Sequence, residues 1–440
     1  MIQKYLPNYQ DAFHQMYPEK CGTDIAVKVI TFVVTEQCNL RCTYCYEYKK
    51  NEDRPMTKDI ARQTIDTLFN EDMKGNNISG TNAQAIVLDF IGGEPLLEIE
   101  LMEYIVDYFR YKALKLNHRW ALHHMISIST NGTLYFEPDV QAFIKKYQER
   151  LSLSITIDGN KELHDKCRLF PNGAGSYDIV EKAFLAELKR FPYASTKLTL
   201  APENISYLKE AILHLFSIGV ISIFSNCIFE EGWNVSHAKI FYHELKELAD
   251  YMISTKLYTK HTCTLFDPDI GYAMSPEDNQ NWCGGTGKML AIDGEGIIYP
   301  CLRYMKFCLE KEEPITIGDI VSGIGESEEQ KKNLECLKCI TRRSQSTDEC
   351  FNCPIATGCA WCSAYNYDKF GTANKRATYI CIMHKARVLA NVYYWNKLYR
   401  NEGLEERFPV NVPKEWALEI ISEEEYNMLL NLSKETEGGN

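Results

Sequence analysis

A chain of 440 residues, 45% of them hydrophobic, has the apolar material for a substantial core and the length of two to three domains. Its formal net charge of -12 and its lack of a basic face disfavour a nucleic-acid partner, and no stretch approaches the roughly 18 uninterrupted apolar residues of a membrane span. The first residues, MIQKYLPNYQDAF, lack the basic region and apolar core of a signal peptide, and seventeen cysteines in so long a chain are not the disulfide scaffold of a small secreted domain. The chain therefore reads as a soluble protein of a reducing, cytoplasmic compartment.

Residues 1–25 form an N-terminal arm. From 26 to 235, short apolar runs at 27–34, 85–91, 126–130, 151–157, 197–201 and 220–228 alternate with amphipathic stretches such as 99–111, where Leu101, Met102, Ile105, Val106 and Phe109 share one face. Six strand–helix units predict a parallel sheet with helices outside, and six are fewer than the eight of a closed barrel. The expectation is an α/β fold built on an open, partial (β/α)6 barrel. Reactive groups in such folds sit at the carboxyl ends of the strands. Cys38 follows the first strand, Gly92–Pro95 the second and Asn131-Gly132 the third, so all three face one mouth.

Residues 236–282 read as a helical linker, with a long helix over about 237–258. Over 283–385 the strand–helix rhythm stops and cysteines crowd, which predicts a small domain held by metal. Residues 386–440 form a helical tail in which Leu389, Val392 and Tyr393 are spaced for one face, followed by a Pro-interrupted linker and a short acidic helix. The terminal KETEGGN reads as disordered.

The run CNLRCTYCYE places Cys38, Cys42 and Cys45 directly after the first strand. This spacing supplies three thiolates to a four-iron cluster and leaves one iron open to a small molecule. Zinc would also suit thiolates, but its sites more often come as paired CxxC units. At Gly92-Gly93-Glu94-Pro95, two glycines let backbone approach a ligand closely and a carboxylate can receive an ammonium group.

Together these motifs resemble the radical SAM superfamily. The resemblance implies that Cys38, Cys42 and Cys45 hold a [4Fe-4S] cluster whose open iron is chelated by S-adenosyl-L-methionine, which is cleaved reductively to a 5'-deoxyadenosyl radical. It further implies that Tyr44 lies near the adenine, that Gly92, Gly93, Glu94 and Pro95 contact the methionyl amine, and that Asn131, Thr156 and Arg168 serve the ribose and carboxylate. The cysteine-rich region resembles the SPASM extension of peptide- and protein-modifying members. By that resemblance Cys350, Cys353, Cys359 and Cys381 hold one auxiliary [4Fe-4S] cluster and Cys283, Cys301 and Cys362 a second, inner one. Two departures stand out: Cys359 and Cys362 are separated by two residues where the pattern has three, and the usual further cysteine is replaced by Glu277. The inner cluster then recruits Cys263, Cys308, Cys336 or Cys339, with the pair Cys336 and Cys339 preferred, or keeps an open iron.

The preferred functional reading is a maturase that abstracts hydrogen from a ribosomally made precursor peptide and forms an intrapeptide thioether or carbon–carbon cross-link. Its partners would be that peptide and an electron donor such as flavodoxin or ferredoxin. Only 37 residues precede Cys38, too few for a winged leader-binding domain, so leader binding falls to another surface or a separate protein. The alternative is a formylglycine-forming enzyme of the anaerobic sulfatase-maturing type. Those enzymes carry an aspartate base just after the cysteine matching Cys301, where this chain has Leu302, which cannot accept a proton. Asp267, Asp269 and Asp293 are substitutes, although Asp293-Gly294 reads as a hairpin turn. A metal-stapled binding protein without catalysis is the remaining class.

Overall fold

The computed structural model describes residues 27–50, 55–73, 83–281, 283–286 and 289–434. The arm expected over 1–25 and all but the first residue of KETEGGN lie outside the described residues.

Strands β1 (Val27–Val33), β2 (Ala85–Ile91), β3 (His124–Thr130) and β4 (Leu151–Ile155) pair in parallel in that order. A second parallel sheet contains β5 (Thr196–Leu200), β6 (Ser222–Cys227) and β7 (Thr262–Cys263). The six expected strands are thus present, but they do not form one continuous curled sheet, because β4 and β5 exchange no ladder hydrogen bonds. Side chains bridge the gap instead. Thr196 Oγ1 donates to the Ile155 carbonyl at 2.9 Å and accepts from Ile157 N at 3.1 Å, while Asp158 Oδ1 accepts from Thr199 N at 3.4 Å.

Alternation along the strands separates two faces. Ile30, Phe32, Leu88, Phe90, Ile126, Ile128, Leu153 and Leu198 enter the apolar core beneath the helices. The helix Ile99–Lys115 buries the predicted Leu101, Met102, Ile105, Val106 and Phe109. The opposite face carries Thr31, Asp89, Ser127, Ser129, Ser154 and Lys197, and the Thr31 hydroxyl donates to Asp89 Oδ2 at 3.1 Å. The sheet face away from the helices is therefore polar.

The long helix Val235–Ser254 packs against the helix Cys381–Asn401, which begins five residues before its expected start and buries Leu389, Val392 and Tyr393. The acidic C-terminal helix is Glu423–Ser433, capped by the Ser422 hydroxyl. In the cysteine-rich region, β8 (Leu290–Ile292) and β9 (Ile297–Tyr299) form a hairpin whose turn, at 293–296, contains the Asp293-Gly294 pair expected there, with Asp293 Oδ1 accepting from Ile297 N at 2.9 Å. Short strands β10 (Gly318–Asp319) and β11 (Gly323–Ile324) extend it. The consequential contact is β8 on β1, in parallel, with Ile30 opposite Leu290. One eight-stranded sheet therefore runs through both regions. No helix among the described residues is long and apolar enough to cross a membrane.

Candidate active site

The loop after β1 is held by backbone on one side and a buried side-chain network on the other. Arg41 N donates to the Leu169 carbonyl at 2.7 Å and Thr43 N to the Cys167 carbonyl at 2.9 Å, so the segment carrying Cys42 is clamped onto the chain beyond β4. Leu40 N points at Cys38 Sγ from 3.4 Å and Asn131 Nδ2 from 3.9 Å. These two donors face the sulfur in the manner of groups that steady a thiolate. Burial pushes the Cys38 thiol up to about 11 and raises Cys45 as well, so a metal must displace the proton on binding. The soft, half-buried donor set fits an iron–sulfur cluster. Among the described residues no three His, Cys, Asp or Glu side chains converge on one ion position. A cluster makes a different demand, since each thiolate takes its own iron.

The turn after β2 meets this loop directly. A Cβ on Gly92 would stand 2.3 Å from the Thr35 carbonyl oxygen, and one on Gly93 only 2.1 Å from that of Gln37. Gly93 N and Glu94 N donate to those two carbonyls at 3.1 and 2.8 Å. The room made by the two glycines is thus filled by the backbone leading to Cys38. Glu94 is 1% exposed. Its Oε1 accepts from the Thr130 hydroxyl at 2.6 Å and Leu96 N at 3.1 Å, and its Oε2 from Asn131 N at 2.8 Å. Burial raises its pKa, and these donors oppose the rise. The ends of β2 and β3 are tied through one carboxylate, with Pro95 buried beside it. Asn131 continues the network, its Nδ2 donating to Asn39 Oδ1 at 2.8 Å. The mouth expected from the ends of β1, β2 and β3 exists.

Beyond β4, Tyr44 donates its hydroxyl to Asp158 Oδ2, and Arg168 Nη1 donates to the Tyr44 oxygen at 3.0 Å while standing 4.0 Å from Asp158. Asp158 is fully buried; burial raises its pKa and Arg168 opposes that. Arg168 Nε is buried without a hydrogen-bond partner among the described residues. A polar relay fixes this corner: Asp158 N donates to His164 Nδ1 at 3.2 Å, His164 Nε2 meets Ser176 Oγ at 3.0 Å, and Ser176 donates to the Arg168 carbonyl at 2.8 Å. Thr156, half-buried, pairs through its backbone with Thr130 at 3.0 Å. Neither Asp158 nor His164 stands out in the sequence. The alternation in ISIST and LSLSI was the available signal for the polar inner face.

The cysteine-rich region gathers two sets. Cys350, Cys353, Cys359 and Cys381 line one cavity of about 300 Å³ together with Arg376 and His384. Arg376 Nη1 faces Cys350 Sγ at 3.9 Å and Nη2 donates to the Cys359 carbonyl at 3.1 Å. Cys283, Cys301 and Cys362 form the second set around Gly285, where an added Cβ would lie 3.1 Å from Cys301 Sγ and 3.6 Å from Cys283 Sγ. Of the spare cysteines, Cys336 and Cys339 are exposed, whereas Cys308 is buried between the environments of Cys45 and Cys301. Surface exposure does not suit the preferred pair as ligands of this enclosed set. Leu302 is buried in an apolar cluster with Val33, Ala291, Tyr299 and Phe307, so no acid reaches the site from that position.

Residues 32–215 match the Radical SAM superfamily. That segment is similar to a radical SAM α/β core. An uncharacterised protein of Methanocaldococcus jannaschii is 33% identical over 198 residues, 45% of this chain and 61% of that one, so the chain spans less than two thirds of that relative. Among solved structures, anSMEcpe with bound AdoMet and the Cp18Cys peptide matches with a TM-score of 0.62 at 18% identity, covering 86% of this chain and 99% of that one. Streptococcus suis SuiB bound to the precursor peptide SuiA matches at 0.53 and 11% identity, covering 81% and 76%. At such identities the likeness is one of fold. It runs well past residue 215, into the cysteine-rich region.

Proposed function

We propose that this radical SAM protein is an oxidoreductase that modifies a side chain of a peptide or protein substrate. The observation that carries the reading is the convergence of the Cys38–Cys45 loop, the Glu94 turn and Asn131 at one polar mouth. Cys38, Cys42 and Cys45 would hold a [4Fe-4S] cluster, and Tyr44, the Gly92–Pro95 turn, Asn131, Thr156 and Arg168 would line the S-adenosylmethionine site. The bound pair supplies a 5'-deoxyadenosyl radical for hydrogen abstraction. Arg168, with one buried N–H left over, is suited to a carboxylate, and the clamp on Arg41 and Thr43 keeps the loop in place. Cys350, Cys353, Cys359 and Cys381 would hold an outer auxiliary cluster, and Cys283, Cys301 and Cys362 an inner one. A flavodoxin or ferredoxin of the cytoplasm would supply the electron.

The whole-chain likeness supports the sulfatase-maturing alternative better than the cross-linking reading preferred from sequence, since it is closer and covers more of the structure matched. Side-chain oxidation of a cysteine or serine is therefore the leading reaction. Leu302, buried among apolar groups where that reaction wants a base, favours peptide cross-linking as the second reading. Incubating the reconstituted protein with S-adenosylmethionine, dithionite and a cysteine-containing sulfatase-type peptide separates them. The leading reading expects a hydrazine-reactive aldehyde in place of the thiol; a product that has only lost two hydrogens and resists linear fragmentation supports the cross-link. An intact peptide beside abundant 5'-deoxyadenosine would refute this substrate class.

A further inference from the structure

Tyr304 presents a buried hydroxyl beside three thiols and the Ser363 hydroxyl. Its side chain is fully buried, its OH makes no hydrogen bond of good geometry among the described residues, and its neighbours are the Ser363 hydroxyl and the thiols of Cys301, Cys283 and Cys362. An unsatisfied buried hydroxyl is costly, and native proteins rarely keep one without a bound group to meet it. A second hydroxyl points at the same place. Ser363, also fully buried, has its Oγ 3.2 Å from Cys283 Sγ, the separation of a hydrogen bond to sulfur. Gly285 completes the cradle, because a Cβ there would press within 3.1 Å of both Cys301 Sγ and Ser363 Oγ. Two hydroxyls and a glycine thus surround three thiols.

We propose that the Tyr304 hydroxyl donates a hydrogen bond to a sulfur of the inner auxiliary cluster held by Cys283, Cys301 and Cys362, and that Ser363 donates to Cys283 Sγ, the two together holding the cluster's reduction potential up. Reduction adds negative charge to the sulfurs, and donors to those sulfurs stabilise the reduced form more than the oxidised one. Tyr304 and Ser363 are positioning residues that act through the cluster. The proposal rests on the reading that these cysteines hold iron, and it adds that the inner cluster has an oxygen-donor shell distinct from the Arg376 and His384 surroundings of the outer set.

The test uses the full chain, parent and Tyr304→Phe, each cluster-free and anaerobically reconstituted, with Ser363→Ala alongside. Cluster-free Tyr304→Phe should melt at or above the parent temperature, because it removes an unsatisfied group. In reconstituted protein it should keep the parent iron content and shift one of the two auxiliary transitions to more negative potential in an electron-paramagnetic-resonance redox titration, leaving the other in place. Ser363→Ala should move the same transition. Iron loss in Tyr304→Phe with an unchanged cluster-free melting temperature also supports the proposal. A lowered cluster-free melting temperature would assign the hydroxyl to the protein's own packing and overturn it, as would full iron with neither potential moved. Parent protein without auxiliary iron would instead refute the cluster reading itself.

Discussion

Glu94 illustrates how a motif residue can hold a structural surprise. The pattern GGEP suggested a free carboxylate waiting for an ammonium group, yet three donors of the chain already occupy it, leaving it at most one open lone-pair direction. Glu94→Gln turns an amide NH2 toward Thr130, Leu96 or Asn131, a donor against a donor. A charge-assisted hydrogen bond is worth about 1.5–3 kcal/mol, so the affinity for S-adenosylmethionine should fall roughly ten- to a hundredfold in equilibrium binding. An unchanged affinity would confine the carboxylate to the turn. His164 gives a second residue-scale expectation. Burial lowers its pKa from 6.5 to about 2, with Arg168 and Lys161 adding to the effect, so the folded chain keeps it neutral while the unfolded chain binds a proton below 6.5. Stability is therefore complete above about pH 6.5 and falls as the pH drops, by up to about 1.4 kcal/mol per unit. Urea unfolding of cluster-free protein at pH 7 and pH 5 should show that loss reduced in His164→Gln. Equal losses in both proteins would contradict it.

Among the elements, the strands were legible because alternation of apolar and polar residues survives in a half-polar sheet. β2 matches its expected bounds and β1 differs by one residue. What sequence could not show was the break between β4 and β5, where the Thr196 hydroxyl and the Asp158 carboxylate stand in for ladder hydrogen bonds. Nor could it show that Gly92 and Gly93 serve the Cys38 loop, since that requires knowing which backbone lies opposite. A Gly93→Ala variant tests this joint. Its methyl group would overlap the Gln37 carbonyl, forcing turn and loop apart at a cost of roughly 1–3 kcal/mol. Reconstituted Gly93→Ala should lose iron from the first cluster and with it most reductive cleavage of S-adenosylmethionine. Parent iron content and parent cleavage rate would show that the loop is set by other contacts.

At the scale of the molecule, the two regions that sequence separated at residue 283 share a sheet through β8 and β1. Cysteine density announced the second region, but the pairing of a three-residue strand is too short a signal to read. Truncation after residue 282 would bare the β1 edge, and an uncovered edge is a template for association. Size-exclusion chromatography of that fragment should show aggregates; a monodisperse, folded fragment would show the regions to be independent. The central claim, that the chain is a radical S-adenosylmethionine enzyme with three cluster sites, is tested most directly by one paired assay. Parent protein and a variant with Cys38, Cys42 and Cys45 replaced by Ala are reconstituted anaerobically, and iron and 5'-deoxyadenosine are measured with S-adenosylmethionine and dithionite. The parent should hold about ten to twelve irons, and the variant should lack about four of them and form no 5'-deoxyadenosine. Parent-like cleavage by the variant, or stoichiometric zinc with no iron in the anaerobically prepared parent, would contradict the account.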